Sequence, residues 1–491
     1  MPARVPQSYA DLHEFVAYLE KRGQLKRIKT PVSAELEITE ITDRVSKSRD
    51  ANYALLFENV QGHDMPVLIN AMGTHERMSW ALGLDHLDEL RERMSGLIKP
   101  EVPEGVFDKV RKLGELSEVV RYRPKTVDSA PCQEVVLTDD KVDLTRLPVL
   151  KCWPDDGGRY ITLPMVISRD PVKGIRNVGM YRLQVYDKRT IGMHWQIHKG
   201  GTEHQREALR KGAPRMPVAV AIGSDPASMY AGSAPLPPGI DEIMFAGWLK
   251  RDRVDMVKCK TIDLEVPANA EIVLEGYVDP AEQRIEGPFG DHTGYYSLAD
   301  KYPVMHLTAI TRCKRPIYAT TIVGYPPQED YWLGKATERL FLPLMQLVVP
   351  EIVDVNMPAE GVFHNVVIVS IKKRFPGQAR KVMYGLWGLM LMSLSKFVIV
   401  VDADVNVQDL SEVLFHVGSN VDPRRDTVIV DGALDALDHS ADQFAYGAKM
   451  GIDATRKDPV LDRFPREWPQ DIKMTPEIVE LVDRKWRQYG L

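Results

Sequence analysis

Hydrophobic positions change their spacing along the chain, and each change marks a change of architecture. Near the start, Leu12, Phe15, Val16 and Leu19 recur on one helical face. Ser8 with Asp11 resembles a capping box ahead of them and Gly23 ends the pattern, so an amphipathic helix opens the chain. The apolar runs Ala54–Phe57 and Pro66–Ile69 predict buried strands, and helical spacing follows around Leu84–Leu97. Together they make a small α/β unit. Pro100, Pro103 and Gly105 break the pattern, and the polar, proline-bearing stretch Arg123–Pro131 predicts a domain boundary.

From about residue 132 to 325 the chain becomes rich in short β-type runs: Glu134–Leu137, Tyr160–Ser168, Arg182–Tyr186, Val218–Ile222, Glu271–Val278, His306–Thr311 and Ile317–Val323. Few helix-length segments intervene, which predicts a mostly antiparallel barrel or sandwich. After Pro326 the spacing reverts: Tyr331–Leu347 reads as helix, Val366–Ile371 as strand, Gly377–Met392 as helix and Phe397–Val401 as strand. Strand, helix and strand in that order predict a βαβ unit on a parallel sheet. The fold class expected is therefore mixed, α/β with a β-rich centre, over residues 1–125, 126–325 and 326–491. The tail from Pro459, with Trp468 and Trp486 among charges, is expected to hold a helix that docks on another part of an assembly.

Composition narrows the function. At 491 residues the chain exceeds a single ordinary core, and 44% hydrophobic with 27% charged residues is globular. A net charge of -6, with no basic cluster interleaved with aromatics, disfavours nucleic acid as a partner. The first ten residues carry neither an export nor an organelle signal, so a cytoplasmic protein is expected. The apolar stretch Gly385–Val401 contains Ser393, Ser395 and Lys396 and reads as helix, turn and buried strand, not as a membrane span. Cys132, Cys152, Cys259 and Cys313 form no CxxC pair, which disfavours thiolate metal sites and a disulfide framework.

Four constellations carry candidate chemistry. Arg176–Arg182 (RNVGMYR) places Asn177 and Arg182 five apart, and Gly179 offers a bulge that could bring them to one side; alone the segment reads as a surface turn. In Glu286–Asp291 (EGPFGD) two carboxylates flank a turn, a spacing suited to acid–base work if their surroundings differ, and equally to a solvated hairpin tip. Gly192–Gly201 (GMHWQIHKGG) suits a loop around a planar, phosphate-bearing ligand. His194 and His198 in that loop lack the glutamate of a zinc hydrolase motif. In Ser233–Glu242 the bland role of Asp241 and Glu242 is to cap the following helix. The sharper role gives one carboxylate to a metal, and an oxygen-rich set of Asn177, Glu242 and a ligand phosphate suits Mn²⁺ or Mg²⁺.

These residues resemble the UbiD family of prenylated-flavin-dependent decarboxylases over essentially the whole chain, from LEKRGQLKRI (Leu19–Ile28) to GIDAT (Gly451–Thr455). The most specific runs are Ala54–Val60 (ALLFENV), Ala270–Tyr277 (AEIVLEGY), Glu286–Tyr296 (EGPFGDHTGYY) and Lys396–Asn406 (KFVIVVDADVN). The resemblance implies prenylated FMN on a central split β-barrel, Asn177 and Glu242 holding Mn²⁺ against the flavin phosphate, and a K⁺ or Na⁺ ion nearby. It implies Met180, Tyr181, Arg182, His194, Trp195, Gln196, Lys199 and Gly200 around the flavin, with Lys396 as a further phosphate contact. It makes Arg182, Glu286 and Asp291 the catalytic set, with Asp291 as the proton donor. Fungal members carry histidine where Met193 stands and glutamate where Asp291 stands.

The run Gly174–Lys199 looks closest to members of menaquinone synthesis acting on a dihydroxynaphthoate. Ubiquinone-branch members, acting on a polyprenyl-hydroxybenzoate, share the rest. The implied partners are a small aromatic acid, a UbiX-type flavin prenyltransferase as cofactor supplier, and further copies of the chain in a dimer or hexamer. Peripheral membrane contact is implied for a polyprenylated substrate. A catabolic phenolic-acid or phenazine-type decarboxylase, a redox FMN protein on a split barrel, and a non-catalytic assembly subunit are the alternatives.

Overall fold

A computed structural model describes residues 5–98, 121–195, 200–236 and 240–490. The first helix, Leu12–Lys21, buries Leu12, Phe15, Val16 and Leu19 as the spacing predicts. Its cap lies later than expected: Asp11 accepts the amide of Glu14 at 2.9 Å and Glu14 Oε2 accepts the amide of Ala10 at 2.6 Å. Strands Leu25–Ile28, Ala54–Phe57 and Val67–Ile69 form a sheet whose fourth strand, Tyr318–Ala319, comes from the distant run 317–323. That run was expected in the β-rich centre. Its apolar residues find their buried partners beside Val67 and Leu68 instead, so spacing alone could not place it. The expected break at Pro100, Pro103 and Gly105 lies outside the described residues.

The centre is a nine-stranded sheet curled into a half-barrel. Along it run Arg159–Ile161, Leu183–Val185, Thr190–Met193, Asp300–Arg312, Ile272–Glu286, Met216–Ile222, Pro164–Arg169 and Arg176–Gly179, with Val135–Thr138 added beside Asp300–Arg312. All its pairings are antiparallel. Alternation divides each strand between two cores: Val218, Val220 and Ile222 face one, Ala219 and Ala221 the other. Each fully buried branched side chain contributes roughly 1.5–3 kcal/mol, so both faces are specified by residue type. The two longest strands, Ile272–Glu286 and Asp300–Arg312, make a hairpin whose connection runs from residue 287 to 299.

Helix Glu329–Val348 leads into a five-stranded sheet of order Ile352–Asn356, Val366–Ile371, Phe397–Asp402, Tyr446–Asp453, Thr427–Ala433. Val366–Ile371 and Phe397–Asp402 are parallel and joined through helix Gln378–Trp387, the predicted βαβ unit. The helix ends at Trp387, five residues before Met392, with Gly388 as its C-cap, and a 3-10 turn Met390–Leu394 follows. The last helix, Pro476–Lys485, buries none of its side chains. No helix among the described residues is long and apolar enough to cross a membrane.

Candidate active site

The hairpin connection is pinned from below. Gln184 Oε1 accepts the Gly287 amide at 2.9 Å, Asp156 Oδ1 accepts the Gly290 amide at 2.7 Å, and Tyr160 donates its hydroxyl to Pro288 O at 3.1 Å. Gly290 sits so near Trp153 that a Cβ would lie 2.2 Å from its Cδ1, so only glycine lets the turn settle there. This anchoring turns the end of the hairpin inward. Glu286 is 0% and Asp291 6% exposed, which rules out a solvated hairpin tip.

Arg182, in the connection between strands Arg176–Gly179 and Leu183–Val185, joins the two acids. Its Nε and Nη2 donate to Glu286 Oε1 and Oε2 at 2.8 and 3.0 Å, and its Nη1 donates to Asp291 Oδ2 at 2.6 Å. The guanidinium also lies over the Phe289 ring, 4.7 Å from its centroid. His194 Nδ1 lies 3.0 Å from Glu286 Oε2. Burial works against the Glu286 anion, but His194 and Arg182 outweigh it and hold the carboxyl below its ordinary range. Burial and the Arg182 charge push the His194 imidazole down, so it is neutral. An ionised carboxylate only accepts, which puts the single ring hydrogen on Nδ1 and leaves Nε2 a bare acceptor.

Asp291 departs from expectation. The proton donor that the resemblance makes of it would hold its proton near neutral pH. Burial does raise it, but the His292 charge and hydrogen bond, then Arg182 and the His292 amide, together outweigh burial and hold Asp291 well below the usual carboxylate range. His292 Nδ1 stands 2.7 Å from Asp291 Oδ1. Burial opposes charge on His292, yet Asp291, Asp330 and Asp435 lift it to about 9. The proton expected on the acid therefore rests on its neighbour.

Strand Arg176–Gly179 places Asn177 beside the start of helix Glu242–Lys250. Asp241 caps that helix by accepting the amides of Ile243 and Met244. Glu242 instead accepts the Val178 amide at 3.1 Å, and burial pushes its carboxyl up to about 7. Asn177 Nδ2 donates to the Tyr181 hydroxyl at 3.4 Å, and a Cβ on Gly200 would lie 2.0 Å from Asn177 Oδ1. The Met180 amide donates to Gly232 O at 2.8 Å. Trp195 Nε1 and His194 Nε2 are buried with no hydrogen-bond partner. Gln196, His198 and Lys199 lie outside the described residues.

Lys396 stands just ahead of strand Phe397–Asp402, where Asp438 Oδ2 at 2.8 Å and Ser440 Oγ at 2.9 Å take up its ammonium. His292 and His364 were absent from the expected site. Their signal was weak, since His292 reads as part of the turn motif and His364 lies 72 residues further on.

Comparison with known proteins gives one picture. The 3-octaprenyl-4-hydroxybenzoate carboxy-lyase N-terminal domain matches residues 16–95, the Rift-related domain residues 125–326 and the C-terminal domain residues 331–454. An uncharacterized protein of Aquifex aeolicus is 53% identical over 484 residues, covering 98% of this chain and 99% of its own. The UbiD-class enzyme HmfF of Pelotomaculum thermopropionicum, solved in complex with FMN, is 31% identical with a TM-score of 0.80, covering 96% of this chain and 99% of its own. Vanillic acid decarboxylase of Sedimentibacter hydroxybenzoicus, in closed form, is 29% identical with a TM-score of 0.84, covering 98% and 99%.

Proposed function

Since the chain belongs to the UbiD family and is a carboxy-lyase, we propose that it removes CO₂ from a hydroxylated aromatic acid using prenylated FMN and Mn²⁺ or Mg²⁺. The observation that carries this reading is the buried Arg182 fork between Glu286 and Asp291. Its three bonded N–H groups fix the plane, and one N–H on each of Nη1 and Nη2 remains to bind a carboxylate.

The residues present fit the cofactor and metal. Glu242 is a half-buried carboxyl that forms no ion pair among the described residues, the condition a divalent cation relieves. Asn177 supplies an amide oxygen from the neighbouring strand, and the missing Cβ of Gly200 lets that oxygen lie against the start of helix Gly200–Arg210, whose N-terminal end suits a phosphate. The unpartnered Trp195 Nε1 and His194 Nε2 add polar groups that a ligand would satisfy. When bound, prenylated FMN supplies the sink for the electron pair left on the ring as CO₂ departs. Glu286 keeps the Arg182 fork aligned and Asp291 returns a proton to that carbon.

The substrate class rests on two supports. The family description is of a 3-octaprenyl-4-hydroxybenzoate carboxy-lyase, and a 29% identical enzyme is a vanillic acid decarboxylase. Quinone biosynthesis on a dihydroxynaphthoate or a polyprenyl-hydroxybenzoate is the reading we favour. A catabolic phenolic acid is the second, favoured by the vanillic acid enzyme. The exposed Ile478, Val479, Trp486 and Tyr489 of the C-terminal segment support association with further copies of the chain. The cofactor is tested by extracting the flavin from protein made with a flavin prenyltransferase and reading its mass. Ordinary FMN that is reduced by NAD(P)H, with no CO₂ released, would mark a redox flavoprotein instead.

A further inference from the structure

Behind Asp291 lies a pair of imidazoles that the three acid–base residues above do not account for. His292 reaches Asp291 through Nδ1, and its Nε2 stands 2.7 Å from Nε2 of His364. Two imidazole nitrogens approach that closely only when one carries a hydrogen and the other is bare. The two residues come from different parts of the fold: His292 from the hairpin connection, His364 from the segment before strand Val366–Ile371. Val362 and Phe363, just before His364, both have positive φ, 55° and 35°. That backbone region is disfavoured for a β-branched or bulky residue, so the fold holds His364 in place against local preference.

Four acids surround the pair, two of them already matched by cations: Asp291 by Arg182 at 2.6 Å and Asp438 by Lys396 at 2.8 Å. Asp291 lies on the same turn, Asp330 at the start of helix Glu329–Val348, and Asp435 and Asp438 on the segment after strand Thr427–Ala433. Phe363 closes the remaining side, its ring 5.3 Å from that of His292. Burial and then the His292 charge push His364 down to about 4, whereas His292 stands at about 9. The pair thus takes one proton across the neutral range and refuses a second. Asp330, pushed up to about 7 by burial, adds a third titratable group beside it.

We propose that His292 and His364 form a shared one-proton store behind Asp291, loading its carboxyl group before each delivery of a proton to the ring carbon. The inference rests on the proposed decarboxylation for its purpose, though not for its geometry. In the loading step the Nδ1–H bond of His292 breaks and an O–H bond forms at Asp291 Oδ1; the imidazolium becomes imidazole and the carboxylate becomes acid. The pair then regains one proton from solvent, matching the one consumed when CO₂ is replaced by hydrogen. Both histidines act through Asp291 and are positioning residues.

The test uses flavin- and metal-loaded protein carrying ¹⁵N-labelled histidine, titrated from about pH 5 to about pH 10. One imidazole, whose signal is lost in His292→Asn, should keep its charge to about 9. In His364→Phe, which keeps a ring but removes the acceptor of the Nε2 hydrogen, its titration should fall below that of the wild type while staying above the ordinary value of about 6.5, because Asp291, Asp330 and Asp435 still face it. The alkaline limb of the decarboxylation pH profile should move with it, and His292→Asn should lose at least about tenfold in turnover at neutral pH. A His292 that titrates below about 7 in the wild-type protein overturns the store. So does an alkaline limb unchanged in both variants. If no aromatic acid is decarboxylated yet His292 titrates as described, the decarboxylation reading falls and the store stands. Should His292→Asn fail to fold, His292→Gln assigns the signal in its place, and the wild-type titration still decides the claim.

Discussion

Arg182 grips Glu286 side-on, Nε to Oε1 at 2.8 Å and Nη2 to Oε2 at 3.0 Å, with both side chains buried. A fork seated this way cannot rotate without breaking two charge-assisted hydrogen bonds. It therefore presents its remaining N–H groups in one fixed plane, beside Asp291. Glu286 acts through Arg182 by holding that plane.

Glu286→Gln should weaken this seat. The neutral amide leaves Arg182 with Asp291 as its one anionic partner and leaves a single acceptor oxygen where Arg182 and His194 had two. Removing one partner of a buried ion pair costs about 3 kcal/mol, and denaturant unfolding of the flavin-loaded protein should show a loss of that order. Flavin content and substrate KM should worsen together. A variant with wild-type stability and KM would show that Arg182 is held by other contacts.

Asp291→Asn should separate binding from proton delivery. The shape is kept, so flavin and metal content should stay normal, while turnover falls by about 10²–10⁴-fold, the usual contribution of a placed acid. Deuterium incorporation from D₂O into the product should fall in step. Wild-type turnover and exchange in this variant would remove Asp291 from the role.

The Asp291–His292 pair also predicts how stability depends on pH. Asp291 is depressed in the folded state, so its contribution is present above the ordinary value of about 3.9 and is lost as pH falls through the depressed one. His292 is raised, so its contribution is full below about 6.5 and is lost as pH rises through about 9. Thermal unfolding should show a plateau between these limits, and His292→Asn should flatten the decline between about pH 7 and about pH 9. An unchanged alkaline decline in that variant would assign it to another group.

How much of this was legible in the sequence depended on how local the cause was. Leu12, Phe15, Val16 and Leu19 announce their helix because the partner surface is fixed by their own spacing. The hairpin motif announced Glu286 and Asp291, and the long strands bear it out. Ile317–Val323 was misplaced because sheet membership is decided by which strand edge is open, a fact held 250 residues away at Val67. The charge state of Asp291 was misread for a similar reason: its neighbour His292 is lifted by Asp330 and Asp435, which no motif connects to it. His364 is seen only once the C-terminal sheet is folded against the turn.

The metal reading makes its own claim on Glu242, whose carboxyl is half-buried next to the Val178 amide. Glu242→Ala should lose metal and flavin together, measured by elemental analysis and by absorbance of the released cofactor. Full flavin occupancy in metal-free protein would contradict it.

The central claim is that this chain decarboxylates aromatic acids on prenylated FMN. It is tested most directly by making the protein with and without a flavin prenyltransferase and following CO₂ and product by mass spectrometry. The substrates are 4-hydroxybenzoate-type acids, a dihydroxynaphthoate and vanillic acid. The account predicts release from at least one of them by the prenyltransferase-matured protein alone, abolished in Arg182→Ala. Equal release from protein carrying ordinary FMN, or none from any acid by fully matured, metal-loaded protein, would contradict it.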